Sequence, residues 1–147
     1  MFGSIVVGTD GSDTASEAVR QATELANAVG ARIHLVSAFE PVGNQRLREE
    51  KQQVPEDMSW MVNQREDVDA TLRDAADQIK EAGVEVETYA RQGDPADAIL
   101  DVAEENNADL IVVGNKGMSG AKRFLLGSVP NKVSHHAPSS VMIIRTT

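Results

Sequence analysis

Short apolar runs alternate along this chain with longer segments in which apolar residues recur at helical spacing. The run at residues 4–7 is rich in β-branched residues and leads into Gly8-Thr9-Asp10-Gly11-Ser12, a composition typical of a turn. Helical spacing then begins at Asp13 and ends at Gly30. The same pattern predicts further strands over residues 33–38, 84–89, 110–113 and 141–144, and further helices over residues 61–82, 95–103 and 128–136.

The predicted order of elements, β-α-β-α-β-α-β-α-β, is typical of a parallel sheet covered by helices on both faces. The first and fourth strands are apolar on both faces, so we expect them at the centre of the sheet. The third strand alternates between apolar and polar residues, which indicates an edge. The doubly wound strand order 3-2-1-4-5 satisfies these demands with right-handed crossovers. The sequence therefore predicts one α/β domain over residues 1–147, built on a five-stranded parallel sheet.

Residues 40–59 interrupt this pattern because they show no clear period and include Pro41, Gly43 and Pro55. An irregular stretch of this length inside a domain is usually functional or mobile. We interpret Trp60, which follows it, as an anchor for this segment rather than a platform for stacking.

The chain contains no cysteine, which excludes a disulfide scaffold, a zinc–thiolate site, an iron–sulfur cluster and a cysteine nucleophile. Residues 1–4 lack the basic and apolar regions of a signal peptide. No apolar run approaches the roughly 18 residues of a membrane span. We therefore expect a cytoplasmic protein.

Charge is distributed unevenly along the chain. The 14 basic and 23 acidic residues give a formal charge of −9, which argues against binding to nucleic acid or to anionic membranes. Residues 110–147, however, contain no Asp or Glu and carry +5, so the first 109 residues carry −14. An acid-free segment in so acidic a chain indicates a site for a small anion, with a solvated basic face as the alternative. Its basic residues are Lys116, Lys122, Arg123, Lys132 and Arg145.

The predicted strand order places a crevice between the first and fourth strands, where open α/β sheets bind their ligands. The loops at that point are residues 8–13 and 114–128, and the second lies within the acid-free segment. Glycines there allow close approach of the backbone or positive φ, and a helix start at Ser128 adds N–H donors for phosphate. The Ser128 hydroxyl either donates to phosphate or caps its own helix. Neither a Walker motif nor a dinucleotide fingerprint is present.

The pattern Gly114-x2-Gly117-x9-Gly127-Ser128 resembles the nucleotide motif of the ATP-binding branch of the universal stress protein family. Three further segments resemble the same family in the same order: residues 5–12, residues 108–114, and residues 134–138 together with 141–144. The resemblance spans nearly the whole chain. It implies the fold of adenine nucleotide alpha hydrolase-like proteins and a regulatory, stress-response binding module for ATP.

The resemblance also implies roles for individual residues. Asp10 would lie at the ribose and the metal-bound phosphates, Ala38 would contact adenine through its backbone, and magnesium would be held mainly by phosphates and water. One departure concerns Pro130, where many ATP-binding members carry a hydroxyl residue. The proline removes an N–H, which leaves room for AMP or cyclic AMP as the ligand. The full predicted nucleotide-binding set is Gly8, Thr9, Asp10, Ala38, Val113, Gly114, Asn115, Lys116, Gly117, Gly120, Arg123, Gly127, Ser128 and Val129.

No catalytic or metal-binding constellation is evident in the sequence. Ser12 and Ser128 have no evident His–Asp partners, so enzymatic activity would be at most weak ATP hydrolysis. We interpret His135 and His136 as structural residues near a helix end, and His34 as a satisfied core residue. Alternatives to a nucleotide-binding regulator are a slow ATPase and a partner-binding chaperone or scaffold gated by nucleotide.

The last predicted strand, residues 141–144, is wholly apolar although the strand order puts it at an edge. Exposed apolar edges favour pairing with another chain. We therefore expect a homodimer through this strand, as the family resemblance also implies.

Overall fold

The computed structural model describes residues 2–39, 65–115 and 126–145. The irregular segment 40–59 and Trp60 therefore lie outside the described residues. Within the three described ranges, no helix combines the length and apolar character that crossing a bilayer requires. The elements, in chain order, are β1 (Ser4–Gly8), α1 (Asp13–Val29), β2 (Arg32–Phe39), α2 (Arg65–Glu81), β3 (Val86–Gln92), α3 (Pro95–Glu105), β4 (Leu110–Gly114), α4 (Ser128–His136) and β5 (Ser140–Ile144).

The strands form one parallel sheet in the order β3-β2-β1-β4-β5, which confirms the predicted doubly wound topology. In the central strand, Val7 lies beside Leu35 of β2 on one side and Val112 of β4 on the other. β1 and β4 are buried on both faces because helices cover each of them. β3 and β5 form the two edges, as the predicted strand order requires, although only the sequence of β3 alternates.

The two faces of the sheet carry separate apolar cores. Ile5 and Val7 of β1 pack in the core that includes residues of α1 and α2. Val6, between them, packs in the core that includes residues of α3 and α4. Because successive strand residues point to opposite faces, a strand between two helical layers must be apolar throughout. This alternation is why the first strand reads as a continuous apolar run.

The helix boundaries follow capping chemistry that is visible in the sequence. The Ser12 hydroxyl accepts a hydrogen bond from the Ala15 N–H at 3.2 Å, at the start of α1. Asp94 caps α3 through the Asp97 N–H at 3.0 Å, and Pro95 occupies the first turn. The predicted N-cap and proline at the start of the third helix are therefore confirmed.

The position of β3 differs from the predicted strand at residues 84–89. The Val84 N–H donates to the Ile79 carbonyl at 3.3 Å, so Val84 belongs to the turn that closes α2. At the other end, pairing with β2 continues to Phe39, whose carbonyl accepts the Gly93 N–H at 2.9 Å. Hydrogen bonding to the neighbouring strand, rather than the alternation of residues, fixes where this strand begins and ends.

A polar cluster is built into the α3 side of the sheet. His34 is only 3% exposed, and its Nδ1 lies 3.0 Å from the Tyr89 hydroxyl. That hydroxyl donates to Glu87 Oε2 at 2.8 Å, so the neutral imidazole carries its proton on Nδ1 and donates it to the tyrosine oxygen. Burial lowers the pKa of His34. His34 is therefore a hydrogen-bonded core residue, which confirms its interpretation from the sequence.

Candidate functional site

The loop that follows β1 begins at the carboxyl end of the central strand. Thr9 is only 2% exposed, and its N–H donates to the Val36 carbonyl of β2 at 2.9 Å. Its hydroxyl oxygen accepts the Gly11 N–H at 3.2 Å. Gly11 has φ of 82°, and a Cβ there would lie 3.2 Å from the Thr71 hydroxyl of α2. The loop is therefore held by its own hydrogen bonds and by close contact with α2.

Asp10 lies half-buried in this loop. Its Oδ1 accepts the Ser12 N–H at 2.9 Å, so the side chain shapes the turn, while Ser12 is the cap of α1. Burial raises the pKa of the Asp10 carboxyl, and hydrogen bonds from Ser12 only partly oppose this effect. A carboxylate whose ionised form is penalised in this way gains from a further O–H donor or a cation.

The end of β4 approaches the first turn of α1 closely. A Cβ at Gly114 would lie 3.1 Å from Thr14 Cγ2 and 3.4 Å from the Thr14 carbonyl oxygen. Glycine is therefore needed here because the protein's own helix occupies the space, whereas the sequence alone suggested close approach of a ligand or a positive φ. Thr14 was not among the residues predicted for the site. No sequence signal links it to Gly114, since the two residues are 100 positions apart.

Asn115 ties the second loop to the sheet. Its N–H donates to the Ile144 carbonyl of β5 at 2.9 Å, and its own carbonyl accepts the Gly127 N–H at 2.9 Å. These two bonds bring the start of α4 to the carboxyl ends of β4 and β5. The residues between them that were predicted for the site, Lys116, Gly117, Gly120 and Arg123, lie outside the described residues.

The N-cap of α4 lies one residue before Ser128. Gly127 is the N-cap with extended backbone and offers no side chain to cap the helix, and Ser128 is the first residue of the helix. Pro130 is buried in the first turn and has no N–H, and the Asn131 N–H bonds to the Gly127 carbonyl at 3.1 Å. Ahead of Asn131, the peptide N–H groups of the helix are those of Ser128 and Val129.

Three predicted site residues from three different elements meet in one apolar cluster. Ala38 of β2, Val113 of β4 and Val129 of α4 are all buried in the core on the α3 and α4 face. Thr9 and Gly8 lie at the same end of the sheet, where β1 passes between β2 and β4. The described members of the predicted set therefore gather at the carboxyl ends of the central strands.

One basic residue of the acid-free segment has a structural role. The Lys132 ammonium of α4 lies 2.9 Å from Asp97 Oδ1 and 3.3 Å from Asp94 Oδ2, at the start of α3. Hydrogen bonds to Asp97 and Asp94 raise the pKa of Lys132. Its charge is therefore balanced within the protein. His135, near the end of α4, lies with its Nδ1 2.8 Å from the Asn131 carbonyl oxygen, which agrees with its interpretation as a structural residue.

The described part of the chain contains no group of three or more His, Asp or Glu side chains placed to hold a metal ion. Asp10 is the carboxylate that the β1 loop contributes to the carboxyl end of the sheet. The carboxyl end of the sheet combines an apolar cluster, a half-buried carboxylate and a helix N-terminus. Such a combination suits a ligand with an apolar part, hydroxyl groups and negative charge.

These features define a doubly wound α/β protein whose described predicted site residues gather at its topological switch point. The model of the universal stress protein family matches residues 1–145. The universal stress protein Rv1636 of Mycobacterium tuberculosis is 38% identical over 147 residues, which cover 99% of this chain and 98% of that protein. The universal stress protein YxiE of Bacillus subtilis is 33% identical over 152 residues, covering 99% and 100% respectively. The chain belongs to the universal stress protein family.

Two solved structures of universal stress proteins are similar to this chain in fold and sequence. The structure of a universal stress protein in complex with cyclic AMP matches with a TM-score of 0.73 and 35% identity, over 99% of this chain and 98% of that one. The structure of Rv1636 matches with a TM-score of 0.59 and 35% identity, over 99% and 97%.

Proposed function

We propose that this protein binds an adenine nucleotide in the crevice between β1 and β4 and acts as a regulatory binding protein. The observation that carries the proposal is the meeting of Ala38, Val113 and Val129 in one apolar cluster, at the end of the sheet where the Asp10 loop and the start of α4 also lie. An adenine ring suits the apolar cluster. A ribose suits a carboxylate acceptor, and phosphate suits a helix N-terminus. The similarity to a universal stress protein in complex with cyclic AMP supports the same ligand class.

Asp10 is the residue to which the proposal assigns the ribose. A hydroxyl donor from the ligand would stabilise the ionised carboxylate, whose pKa burial raises in the free protein. If ATP is the ligand, phosphates and water hold any magnesium ion, and the proposal gives that ion no protein ligand. Under this proposal Gly8, Thr9, Gly114 and Asn115 line the crevice, and Lys116, Gly117, Gly120, Arg123, Gly127 and Ser128 surround the phosphates.

Pro130 favours a ligand with fewer phosphates within this class. Since a proline in the first turn has no N–H, α4 offers fewer donors to a phosphate chain than a helix with serine there. AMP and cyclic AMP, which carry a single phosphate, lose less from this than ATP does. We therefore expect tighter binding of AMP or cyclic AMP than of ATP.

Calorimetric titration with ATP, AMP and cyclic AMP tests this proposal. The Pro130→Ser variant restores an N–H and a hydroxyl, so the affinity for ATP relative to cyclic AMP should rise about tenfold, the value of one hydrogen bond to a charged group. Pro95→Ser is the matched control, because Pro95 is also buried in a first turn but belongs to α3. Absence of binding by all three nucleotides at millimolar concentration contradicts the proposal. An unchanged ATP to cyclic AMP ratio in Pro130→Ser contradicts the role of Pro130.

We also propose that β5 pairs with β5 of a second copy to form a homodimer. β5 is an edge strand, and its Met142 side chain is 37% exposed. A charged residue at an exposed edge position opposes such pairing. Sedimentation velocity should show a lower weight-average mass for Met142→Lys than for the wild type at the same micromolar concentration, with Glu24→Lys on α1 as the control. Equal masses for the wild type and Met142→Lys would rule out this interface.

A further inference from the structure

The turn that carries Asp10 is in close contact with α2. Gly11, the residue after Asp10, has φ of 82°. A Cβ at Gly11 would lie 3.2 Å from Thr71 Oγ1 and 3.4 Å from Thr71 Cγ2, so almost no free space separates the turn from the helix. Thr71 was not among the residues predicted for the site. The contact connects α2 to the loop of the proposed nucleotide site.

Thr71 is held in place by the packing of α2. Val68 and Leu72, its neighbours on the helix, are 1% and 3% exposed and belong to the apolar core on this face of the sheet. At the start of α2, the Arg65 guanidinium carbon lies 5.2 Å from the centroid of the Phe39 ring, at the carboxyl end of β2. The helix is therefore anchored both to the core and to the end of the sheet where the site lies.

The backbone of Gly11 determines where the Asp10 carboxylate lies. The Gly11 N–H donates to Thr9 Oγ1 at 3.2 Å, and the Ser12 N–H donates to Asp10 Oδ1 at 2.9 Å. The peptide unit between Gly11 and Ser12 thus carries the N–H that orients the carboxylate. A displacement of Gly11 towards α2 would move this N–H and the carboxylate with it, and the Thr71 side chain occupies the space that such a displacement needs.

We propose that Thr71 is a positioning residue of the nucleotide site, which acts through Gly11 to hold the Asp10 carboxylate in place. This inference rests on the proposed function, in which Asp10 binds the ribose. A carboxylate that is already fixed binds a ribose hydroxyl without first losing conformational freedom, so the contact increases nucleotide affinity by preorganisation. Because coupling between two parts of a protein is reciprocal, a nucleotide that holds Asp10 also stabilises the contact with α2. Nucleotide occupancy is thereby coupled to the placement of this helix.

Removal of the Thr71 side chain beyond Cβ tests this role. Thr71→Ala deletes the two atoms next to Gly11, and alanine has a higher helix propensity than threonine, so α2 itself is not weakened. The calorimetric affinity for cyclic AMP should fall roughly threefold, and by no more than the tenfold or so expected for Asp10→Asn. Thr71→Val, which keeps two groups on Cβ, and Gln78→Ala, on the exposed side of α2, should both bind within about twofold of the wild type.

A double-mutant cycle shows whether Thr71 acts through Asp10. Because Asp10→Asn already weakens the ribose contact, the variant with both Thr71→Ala and Asp10→Asn should bind cyclic AMP as tightly as Asp10→Asn alone. A merely structural role of Thr71 would instead lower the affinity by the same factor in both backgrounds. That result, or an unchanged affinity in Thr71→Ala alone, would overturn the proposal.

The pKa of the Asp10 carboxyl gives a second measurement that needs no nucleotide. Burial raises this pKa in the folded protein. Because Thr71 is half-buried, water can enter the space that its side chain leaves, so NMR titration should give a lower Asp10 pKa in Thr71→Ala than in the wild type. The Asp10 pKa should not change in Thr71→Val or Gln78→Ala, and an unchanged value in Thr71→Ala contradicts the positioning role. A wild-type protein that binds no nucleotide but shows this pKa difference would refute the proposed function and support the positioning of Asp10 by Thr71.

Discussion

Asp10 and Asp109 lie at opposite ends of the sheet, and their environments have opposite effects on a carboxylate. Asp109, just before β4, accepts the Gly3 N–H at 2.9 Å and the Ser4 N–H at 3.1 Å. Burial alone would raise the pKa of Asp109, but these backbone hydrogen bonds outweigh burial and lower it. Asp10, after β1, accepts the Ser12 N–H, yet burial dominates and raises the pKa of Asp10.

The Asp109 carboxylate stabilises the fold, whereas the ionised Asp10 carboxylate destabilises it. The Asp109 carboxylate joins the amino end of β1 to β4, where the Asp109 N–H also donates to the Ser4 carbonyl at 3.0 Å. The Asp10 carboxylate makes a local turn, and its charge costs stability at neutral pH. Ionised groups whose charged form is disfavoured by burial are typical of functional sites. This contrast supports Asp10 as a ligand-binding residue and Asp109 as a structural one.

The largest effect expected from this comparison is a loss of stability in Asp109→Asn. The amide turns one acceptor into a donor that faces a backbone N–H, so the free energy of unfolding should fall by about 1–3 kcal/mol at pH 7. Because the pKa of Asp109 is lowered in the folded state, the ionised carboxylate contributes fully to the free energy of unfolding at pH values above the ordinary pKa of about 4. The difference between the wild type and Asp109→Asn should therefore shrink as pH falls through the lowered pKa. Urea denaturation at several pH values measures it.

The control for this experiment is Asp101→Asn on α3, an exposed carboxylate outside the β1–β4 junction. Its free energy of unfolding should change by less than about 0.5 kcal/mol. Nucleotide affinity of Asp109→Asn should remain that of the wild type, since Asp109 lies at the end of the sheet away from the crevice. A stable Asp109→Asn protein would show that the two hydrogen bonds contribute little.

The strand order could be predicted from the sequence because a strand buried on both faces must be apolar at every position. β1 and β4 are apolar throughout, which predicts central positions, and β3 alternates, which predicts an edge. The contact between Gly114 and Thr14 could not be predicted, since it depends on how closely α1 packs on β4. The same holds for Lys132, whose basic character in the sequence suggested an anion site, while its position beside Asp94 and Asp97 shows a structural ion pair. Residue types therefore predict which positions are buried, but they do not predict which distant residues contact one another.

The smaller and more diagnostic effect is expected in Asp10→Asn, where the same substitution should have the opposite sign. The amide oxygen can still accept the Ser12 N–H, while the buried charge is removed, so the free energy of unfolding at pH 7 should rise slightly. Because the folded-state pKa of Asp10 is raised, the neutral carboxyl is favoured at low pH, and this advantage is lost as pH rises through the raised pKa. The free energy of unfolding of Asp10→Asn should therefore equal that of the wild type below about pH 4 and exceed it at neutral pH.

The nucleotide affinity of Asp10→Asn should fall about tenfold, the value of one charge-assisted hydrogen bond. Urea denaturation and calorimetry on the same samples measure both quantities. A variant that is less stable and binds nucleotide as tightly as the wild type would make Asp10 a turn residue only, and the contrast with Asp109 would no longer hold.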